Sequence, residues 1–220
     1  MKIKALVPVR SGSTRVPNKN IRPFADSTLL DIKIQQLLRV QSLDGIVVNS
    51  NDDEMLQMAS KYDGVELVKR DENFASNTVF MTDVFENMAE NFPGDVVVYC
   101  TVTYPLFGPE TIEKVIAEYL ERGAQYDSVA PVSRIKQFLY HEKRPLNFDP
   151  MKFPRSQDLP GIVALHWGAP VIARDLMIER KNPIGANPHL YELTEIEALD
   201  VDTLFDFEVA EYLYKKNPPR

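Results

Sequence analysis

The sequence predicts an α/β fold with a mostly parallel central sheet flanked by helices. Short apolar runs alternate with helix-like segments five times between residues 4 and 132. Such alternation is typical of parallel β–α–β units joined by right-handed crossovers. Residues 134–160 break the pattern, because they contain four prolines and mixed polarity. We predict that they form an insertion or dimerisation arm on a single domain that spans residues 1–220.

Strands are predicted from short runs that are nearly all apolar. The first is KALVPV at residues 4–9, and the clearest is DVVVYCTV at residues 95–102. The predicted strands span residues 4–9, 45–49, 65–68, 95–102, 126–132, 161–173 and 198–202.

Helices are predicted from apolar residues at helical spacing and from signals at their ends. Asn51 and Asp52 can cap a helix that has further acids in its first turn. Pro109 and Gly123 mark the start and the end of another helix. The predicted helices span residues 29–40, 51–62, 78–91, 108–123, 175–180 and 203–216.

The composition argues against several classes of protein. A net charge of −7 is not expected of a general nucleic-acid binder. A single cysteine, Cys100, excludes an internal disulfide and a cysteine-rich metal site. No apolar run reaches the roughly 18 residues that a membrane-spanning helix needs. We therefore expect a cytoplasmic protein without a membrane or nucleic-acid partner.

A basic loop directly follows the first predicted strand. Arg10, Arg15, Lys19 and Arg22 lie in this loop, and no acidic residue precedes Asp26. In parallel sheets, ligands bind at the carboxyl ends of the strands, and Arg and Lys bind phosphate oxygens there. The spacing matches neither the common P-loop nor the dinucleotide-binding glycine motif. A solvated surface loop is the alternative, but the placement favours a phosphate site.

Two acidic residues, Asp200 and Asp202, lie in the last predicted strand. Alternation would put both carboxylates on one face of that strand, where they suit Mg²⁺ shared with substrate phosphates. The alternative is that Asp202 or Thr203 caps the following helix. Together with the basic loop, the pair predicts a nucleotidyl-transfer site.

The basic loop carries a recognisable motif. RSGSTRVPNKNIRPF, residues 10–24, resembles the N-terminal signature of the CMP-sugar synthetases, the acylneuraminate cytidylyltransferase family. Residues 69–78, 155–160 and 199–211 resemble later motifs of that family, in the same order. The resemblance implies a Rossmann-like nucleotidyltransferase fold and a homodimer in which an extended segment, here residues 134–160, crosses to the partner.

The resemblance also implies roles for individual residues. Catalysis is assigned to Arg10, Lys19, Asp200 and Asp202, and the two aspartates would hold Mg²⁺. The implied nucleotide-binding residues, for CTP, are Arg10, Ser11, Gly12, Arg15, Lys19, Asn20 and Arg70. The implied acceptor-binding residues are Thr101, Arg155, Gln157 and Trp167.

The acceptor side departs from the family pattern. Thr101 replaces a family Gln, and Trp167 replaces an Asn that contacts the acceptor. Thr is shorter than Gln, and Trp offers an aromatic face with one donor, so the acceptor need not be N-acetylneuraminic acid.

The predicted reaction is Mg²⁺-dependent transfer of CMP from CTP to an acidic acceptor, a nonulosonic or related sugar acid, with release of pyrophosphate. Three alternatives remain at this stage. The acceptor could be a smaller acid, such as a phosphonate or a polyol phosphate. The nucleotide could carry another base. The chain could also bind a nucleotide without catalysis.

Overall fold

A computed structural model describes residues 1–76 and 78–219. The strands are β1 (Ile3–Pro8), β2 (Pro23–Phe24), β3 (Ser27–Thr28), β4 (Gly45–Ser50), β5 (Val65–Lys69), β6 (Val96–Tyr99), β7 (Ser128–Arg134), β8 (Tyr140–His141), β9 (Arg144–Pro145), β10 (Val163–Leu165), β11 (Val171–Ala173) and β12 (Pro188–Glu192). The α-helices are α1 (Leu29–Leu37), α2 (Asp53–Ala59), α3 (Met81–Glu90), α4 (Pro109–Arg122), α5 (Arg174–Arg180) and α6 (Leu204–Lys216), and short 3₁₀ helices span Glu72–Ala75 and Ser156–Asp158.

The central sheet has eight strands. Seven follow the order β10-β7-β11-β6-β1-β4-β5, and β12 pairs with β7. The pairs β1–β4, β1–β6, β4–β5 and β7–β12 are parallel, whereas β10 and β11 run antiparallel to their neighbours. The predicted α/β fold with a mostly parallel sheet is confirmed. The carboxyl ends of β1, β4, β5 and β6 therefore meet at one edge.

Helices cover both faces of the sheet. Ala5 and Val7 of β1 belong to one core cluster, together with side chains of α1, α2, α4 and α6. Leu6, between them, belongs to the other, with side chains of α3 and α5. Because successive side chains of a strand point to opposite faces, β1 is apolar from Ala5 to Pro8, and its one buried charge, Lys4, pairs with Glu66. This explains why its sequence reads as one buried run.

The segment after β1 packs against the last helix. Phe24 is fully buried, and its ring centroid lies 5.2 Å from that of Phe207 and 5.7 Å from that of Tyr214. The backbone N–H of Ala25 donates to Glu211 Oε1 at 2.8 Å. These contacts hold the segment after the basic loop along the length of α6.

Several predicted elements differ in the structure, and the helices predicted at residues 29–40 and 51–62 are shorter, spanning Leu29–Leu37 and Asp53–Ala59. Residues 198–202, predicted as a strand, form an irregular segment, and the strand in this region is β12. The run 161–173 contains two strands, β10 and β11, instead of one. The helix predicted from residue 78 begins at Met81, because residues 78 and 79 form a bend.

The arm, residues 134–160, contains the β8–β9 hairpin and a small aromatic cluster. The rings of Phe138 and Phe153 are stacked, with their centroids 4.7 Å apart. The ring of Phe148 meets both edge-on, with centroid distances of 5.1 Å. The buried Asn147 side chain accepts from Leu139 N at 2.8 Å and donates to a backbone carbonyl at 2.9 Å. The arm therefore has internal packing of its own.

Among the described residues, no helix combines the length and apolarity that crossing a membrane requires.

Candidate active site

A cleft of about 420 Å³ opens at the edge where the parallel strands end. Its walls come from the basic loop, the start of the segment after β5, helix α3 and the end of β6. The predicted site residues that line it are Arg10, Gly12, Arg15, Lys19, Asn20, Arg70 and Thr101. One side of the cleft is thus cationic, as a site for phosphate groups requires.

The basic loop is held in a defined shape. Asn20, which is nearly buried, donates to the Arg10 carbonyl at 3.0 Å. Arg10 Nη1 donates to the Ala75 carbonyl at 2.5 Å, across the cleft entrance. Gly12 has φ +84, a conformation that favours glycine. At the rim, Asn51 Nδ2 donates to the Ser11 hydroxyl at 3.3 Å, and Ser11 is not among the lining residues.

Arg70 is a buried cation in the cleft. Its Nε donates to Asn49 Oδ1 at 2.6 Å, and Nη2 donates to the carbonyls of Asn49 and Val9 at 2.8 and 3.3 Å. Burial lowers the pKa of Arg70 to about 10, partly offset by Tyr99. The guanidinium is still charged at neutral pH, and it ties the ends of β1 and β4 together.

The opposite side of the cleft is apolar. It is lined by Phe74, Val79, Met81, Val84, Met88 and Tyr99. Trp167 is not among the lining residues and lies behind this wall. Its ring stacks on that of Phe85 with the centroids 5.9 Å apart, and it meets the ring of Tyr99 edge-on with the centroids 6.3 Å apart. The Trp167 carbonyl accepts from both the backbone N–H and the hydroxyl of Thr101, at 3.3 and 3.0 Å. Thr101 can therefore offer a ligand its hydroxyl oxygen as an acceptor.

The two aspartates lie beside the basic loop. Arg15 Nη2 donates to Asp202 Oδ1 at 2.8 Å. Lys19 Nζ donates to the Val201 carbonyl at 2.6 Å and lies 3.5 Å from the same Asp202 oxygen. The strand alternation expected for the pair is wrong, because residues 200–202 are irregular. Contacts to the basic loop and to Thr103 hold the segment instead, with Val201 N donating to the Thr103 carbonyl at 2.9 Å.

The cap of α6 is Thr203 and not Asp202. The Thr203 hydroxyl accepts from the Asp206 N–H, and the Asp206 carboxylate accepts from the Thr203 N–H at 2.7 Å. Because this reciprocal capping box does not use Asp202, the Asp202 carboxylate pairs with Arg15 and Lys19 of the basic loop.

Asp200 has the chemistry of a metal ligand. Its Oδ1 is buried and has no hydrogen-bond partner. Burial raises the pKa of Asp200, and the nearby Asp202 raises it further, against an opposing effect of the Thr103 hydroxyl. An unsatisfied carboxylate oxygen beside a second carboxylate fits a divalent cation. Within residues 1–76 and 78–219, no group of three or more such ligands could hold a metal, so substrate phosphates and water would complete the coordination.

A polar chain beside Asp200 was not assigned a role from the sequence. The Tyr104 hydroxyl lies 3.3 Å from His166 Nδ1, and the Ser133 hydroxyl lies 2.7 Å from His166 Nε2. Burial lowers the pKa of His166, with Asp200 opposing, which favours the neutral ring. Tyr104 and His166 are 62 residues apart, and no local pattern connects them.

Two predicted acceptor residues lie outside this cleft. Arg155 is exposed and forms an ion pair with Asp158 at 2.8 Å. Gln157 lines a separate hollow of about 340 Å³ with Arg134 and Lys136. The structure does not bring these residues to the cleft of their own chain.

Comparison with known proteins gives consistent results. The family model "Cytidylyltransferase" matches residues 4–219. The chain is 26% identical to the pseudaminic acid cytidylyltransferase of Campylobacter jejuni, over 99% of this chain and 98% of that protein. It is 27% identical to the CMP-N,N'-diacetyllegionaminic acid synthase of Legionella pneumophila, with the same coverage. A CMP:2-keto-3-deoxy-manno-octonic acid synthetase solved with CTP aligns with a TM-score of 0.71 and 16% identity, over 98% of this chain and 99% of that one, which supports the fold alone.

Proposed function

The chain belongs to the cytidylyltransferase family, and we propose that it transfers CMP from CTP to a nonulosonic or related sugar acid, with Mg²⁺ and with release of pyrophosphate. The observation that carries the proposal is the contact of Lys19 with both Val201 and Asp202. This contact joins the cations that line the cleft, which suit phosphate, to carboxylates that suit a metal; Asp200 and Asp202 themselves lie beside the cleft and not among its lining residues.

The proposed reaction assigns a task to each part of the cleft. Arg10 and Lys19 bind the triphosphate oxygens, and the buried Arg70 adds positive charge near the base. An acceptor oxygen attacks the α-phosphorus in line, the bond to the β-phosphate oxygen breaks, and pyrophosphate leaves. Mg²⁺, held by Asp200 and Asp202, would neutralise charge on the phosphates. Because Arg15 and Lys19 contact Asp202, they limit the repulsion between the two carboxylates.

The acceptor class is supported by the names of the relatives. Pseudaminic acid and N,N'-diacetyllegionaminic acid are both sugar acids. We propose that Thr101 contacts the acceptor and that Trp167 shapes its wall through Tyr99 and Phe85. Because the reaction consumes CTP, the proposed location is the cytoplasm.

We further propose a homodimer formed through the arm. Tyr140, Met151 and Phe153 are 61%, 89% and 64% exposed, a large apolar surface for one segment. A partner's arm would bring Arg155 and Gln157 to the cleft that their own chain does not reach. Light scattering of the purified protein tests the dimer, and a monomeric mass would remove this part of the proposal.

Pyrophosphate release tests the activity. CTP is incubated with Mg²⁺ and a panel of acids: nonulosonic acids, 3-deoxy-manno-octulosonate, a phosphonate and a polyol phosphate. We expect release with a sugar acid, and Asp202→Ala should lower kcat by at least about 100-fold. Asp175→Ala is the matched control, since that exposed carboxylate pairs with the neighbouring Arg174 and does not line the cleft.

Three results would overturn all or part of the proposal. Absence of pyrophosphate with every acid, together with no thermal shift by CTP, would remove the enzyme assignment. A larger thermal shift with GTP or UTP than with CTP would change the nucleotide. If Asp202→Ala kept full activity, the metal assignment would be wrong.

A further inference from the structure

Helix α1 carries a lysine that no step of the proposed reaction uses. Lys33 is completely buried, with 0% of its surface exposed. Its ammonium donates hydrogen bonds of 3.0 Å to the carbonyls of Tyr104 and of Phe107. Within the described part of the chain, no carboxylate pairs with it. Lys33 is therefore a buried cation whose partners are neutral backbone groups.

Such a group is unfavourable for the folded state. Burial lowers the pKa of Lys33 to about 8, with an opposing effect of Cys100. A buried ammonium without a carboxylate loses hydration that carbonyl groups only partly replace. A methionine has a similar length and would fill the same space without that loss. Stability alone does not account for a lysine at this position.

The partners of Lys33 form one turn. Phe107 N donates to the Tyr104 carbonyl at 3.2 Å, which closes residues 104–107 into a turn after β6. One helical turn beyond Lys33, Gln36 Nε2 donates to the Pro105 carbonyl at 2.7 Å. Two side chains of α1 thus hold three carbonyls of this turn.

The turn is connected to the segment that carries the two aspartates and, through that segment, to the basic loop. Thr103 immediately precedes it and lines the cleft. Its carbonyl accepts from Val201 N at 2.9 Å, and the Val201 carbonyl accepts from Lys19 at 2.6 Å. Val201 lies between the two aspartates, so a shift of the turn would move both carboxylates relative to the basic loop.

We infer that Lys33 is a positioning residue that fixes the turn at residues 104–107 and, through Thr103 and Val201, the place of Asp200 and Asp202. This inference rests on the proposed function, because it depends on the metal-binding role of the two aspartates. Lys33 is not among the residues that line the cleft, and it acts only through the turn.

The test compares Lys33→Met with Lys4→Met. Lys4 is also buried, but it pairs with Glu66 at 2.6 Å near the amino end of β1, away from the cleft. In the protein without ligand, we expect the Val201 amide of Lys33→Met to exchange at least about 10-fold faster by NMR. With CTP and acceptor, kcat should fall by about 10- to 100-fold and half-saturating Mg²⁺ should rise. The KM for CTP should change less than about threefold, and Lys4→Met should change none of these.

A second variant, Lys33→Gln, keeps two N–H donors without the charge and should restore part of the kcat. If Lys33→Met does not fold, Lys33→Gln is compared with Lys4→Met in its place. Unchanged Val201 exchange would overturn the inference, and so would faster exchange with unchanged kcat and Mg²⁺ dependence. If the wild-type protein releases no pyrophosphate with any acid, the proposed function fails, while the exchange rates still decide whether Lys33 holds the turn.

Discussion

The buried ammonium of Lys33 should make the stability of the protein depend on pH in an unusual range. Its pKa falls from 10.5 to about 8 on folding, which corresponds to a destabilisation of roughly 3 kcal/mol at neutral pH. Below pH 8 the side chain is charged in both the folded and the unfolded state, so the folded protein is destabilised by the full amount. Between pH 8 and 10.5 the folded protein releases the proton while the unfolded chain keeps it, so the free energy of unfolding rises.

Neighbouring titratable groups do not confound this change. Burial raises the pKa of Cys100 to about 12 and also raises that of Tyr104. Both groups therefore stay neutral in the folded protein while Lys33 loses its proton; in the unfolded chain they ionise within this range, which lowers the free energy of unfolding of the wild type and of Lys33→Met alike. Other lysines and tyrosines titrate in this range, and comparison with Lys33→Met removes their contribution.

The measurement is urea denaturation of the wild type and of Lys33→Met at pH 7, 8, 9 and 10, followed by circular dichroism. From pH 7 to pH 10, the free energy of unfolding of the wild type should rise relative to that of Lys33→Met by roughly 2–3 kcal/mol. A difference that is constant over this range would refute the reasoning, because it would mean that Lys33 titrates normally.

Three further predictions concern the cap, the packing and the phosphate site. Thr203→Ala removes the cap of α6 and should lower the free energy of unfolding by about 1 kcal/mol in urea denaturation; an unchanged value would contradict the capping role. Gly168→Ala places a methyl group against the ring of Phe107 and should lower it by about 1–3 kcal/mol, whereas Gly161→Ala, which meets nothing within 4 Å, should be tolerated. Lys19→Met should raise the KM for CTP by about 10-fold or more in steady-state kinetics, and an unchanged KM would remove Lys19 from the phosphate site.

Local signals predicted most of the fold. Asp52 caps α2, and Pro109 is the first residue of α4, as their sequence patterns indicated. Strands such as β1 are short apolar runs, because helices cover both faces of the sheet. The predicted resemblance is confirmed, since the chain belongs to the cytidylyltransferase family.

Features set by distant contacts could not be predicted. The sequence of residues 200–202 predicts a strand. In the structure, their position depends on two hydrogen bonds, one from Val201 N to the Thr103 carbonyl and one from Lys19 Nζ to the Val201 carbonyl. β12 was missed because its residues are half-exposed and carry no apolar run. Lys33 has no distinguishing local pattern, and its burial depends on carbonyls 71 and 74 residues away.

The contact between the basic loop and α6 has a consequence for how activity begins during synthesis. The loop with Arg15 and Lys19 leaves the ribosome early, but the carboxylate that it contacts, Asp202, is made nearly 190 residues later. The packing of Phe24 on Phe207 and Tyr214 forms only after that. A growing chain therefore carries the cations of the basic loop before the acidic half of the proposed site has been made. The two halves of the proposed site therefore come together only when α6 has docked on the segment after β1.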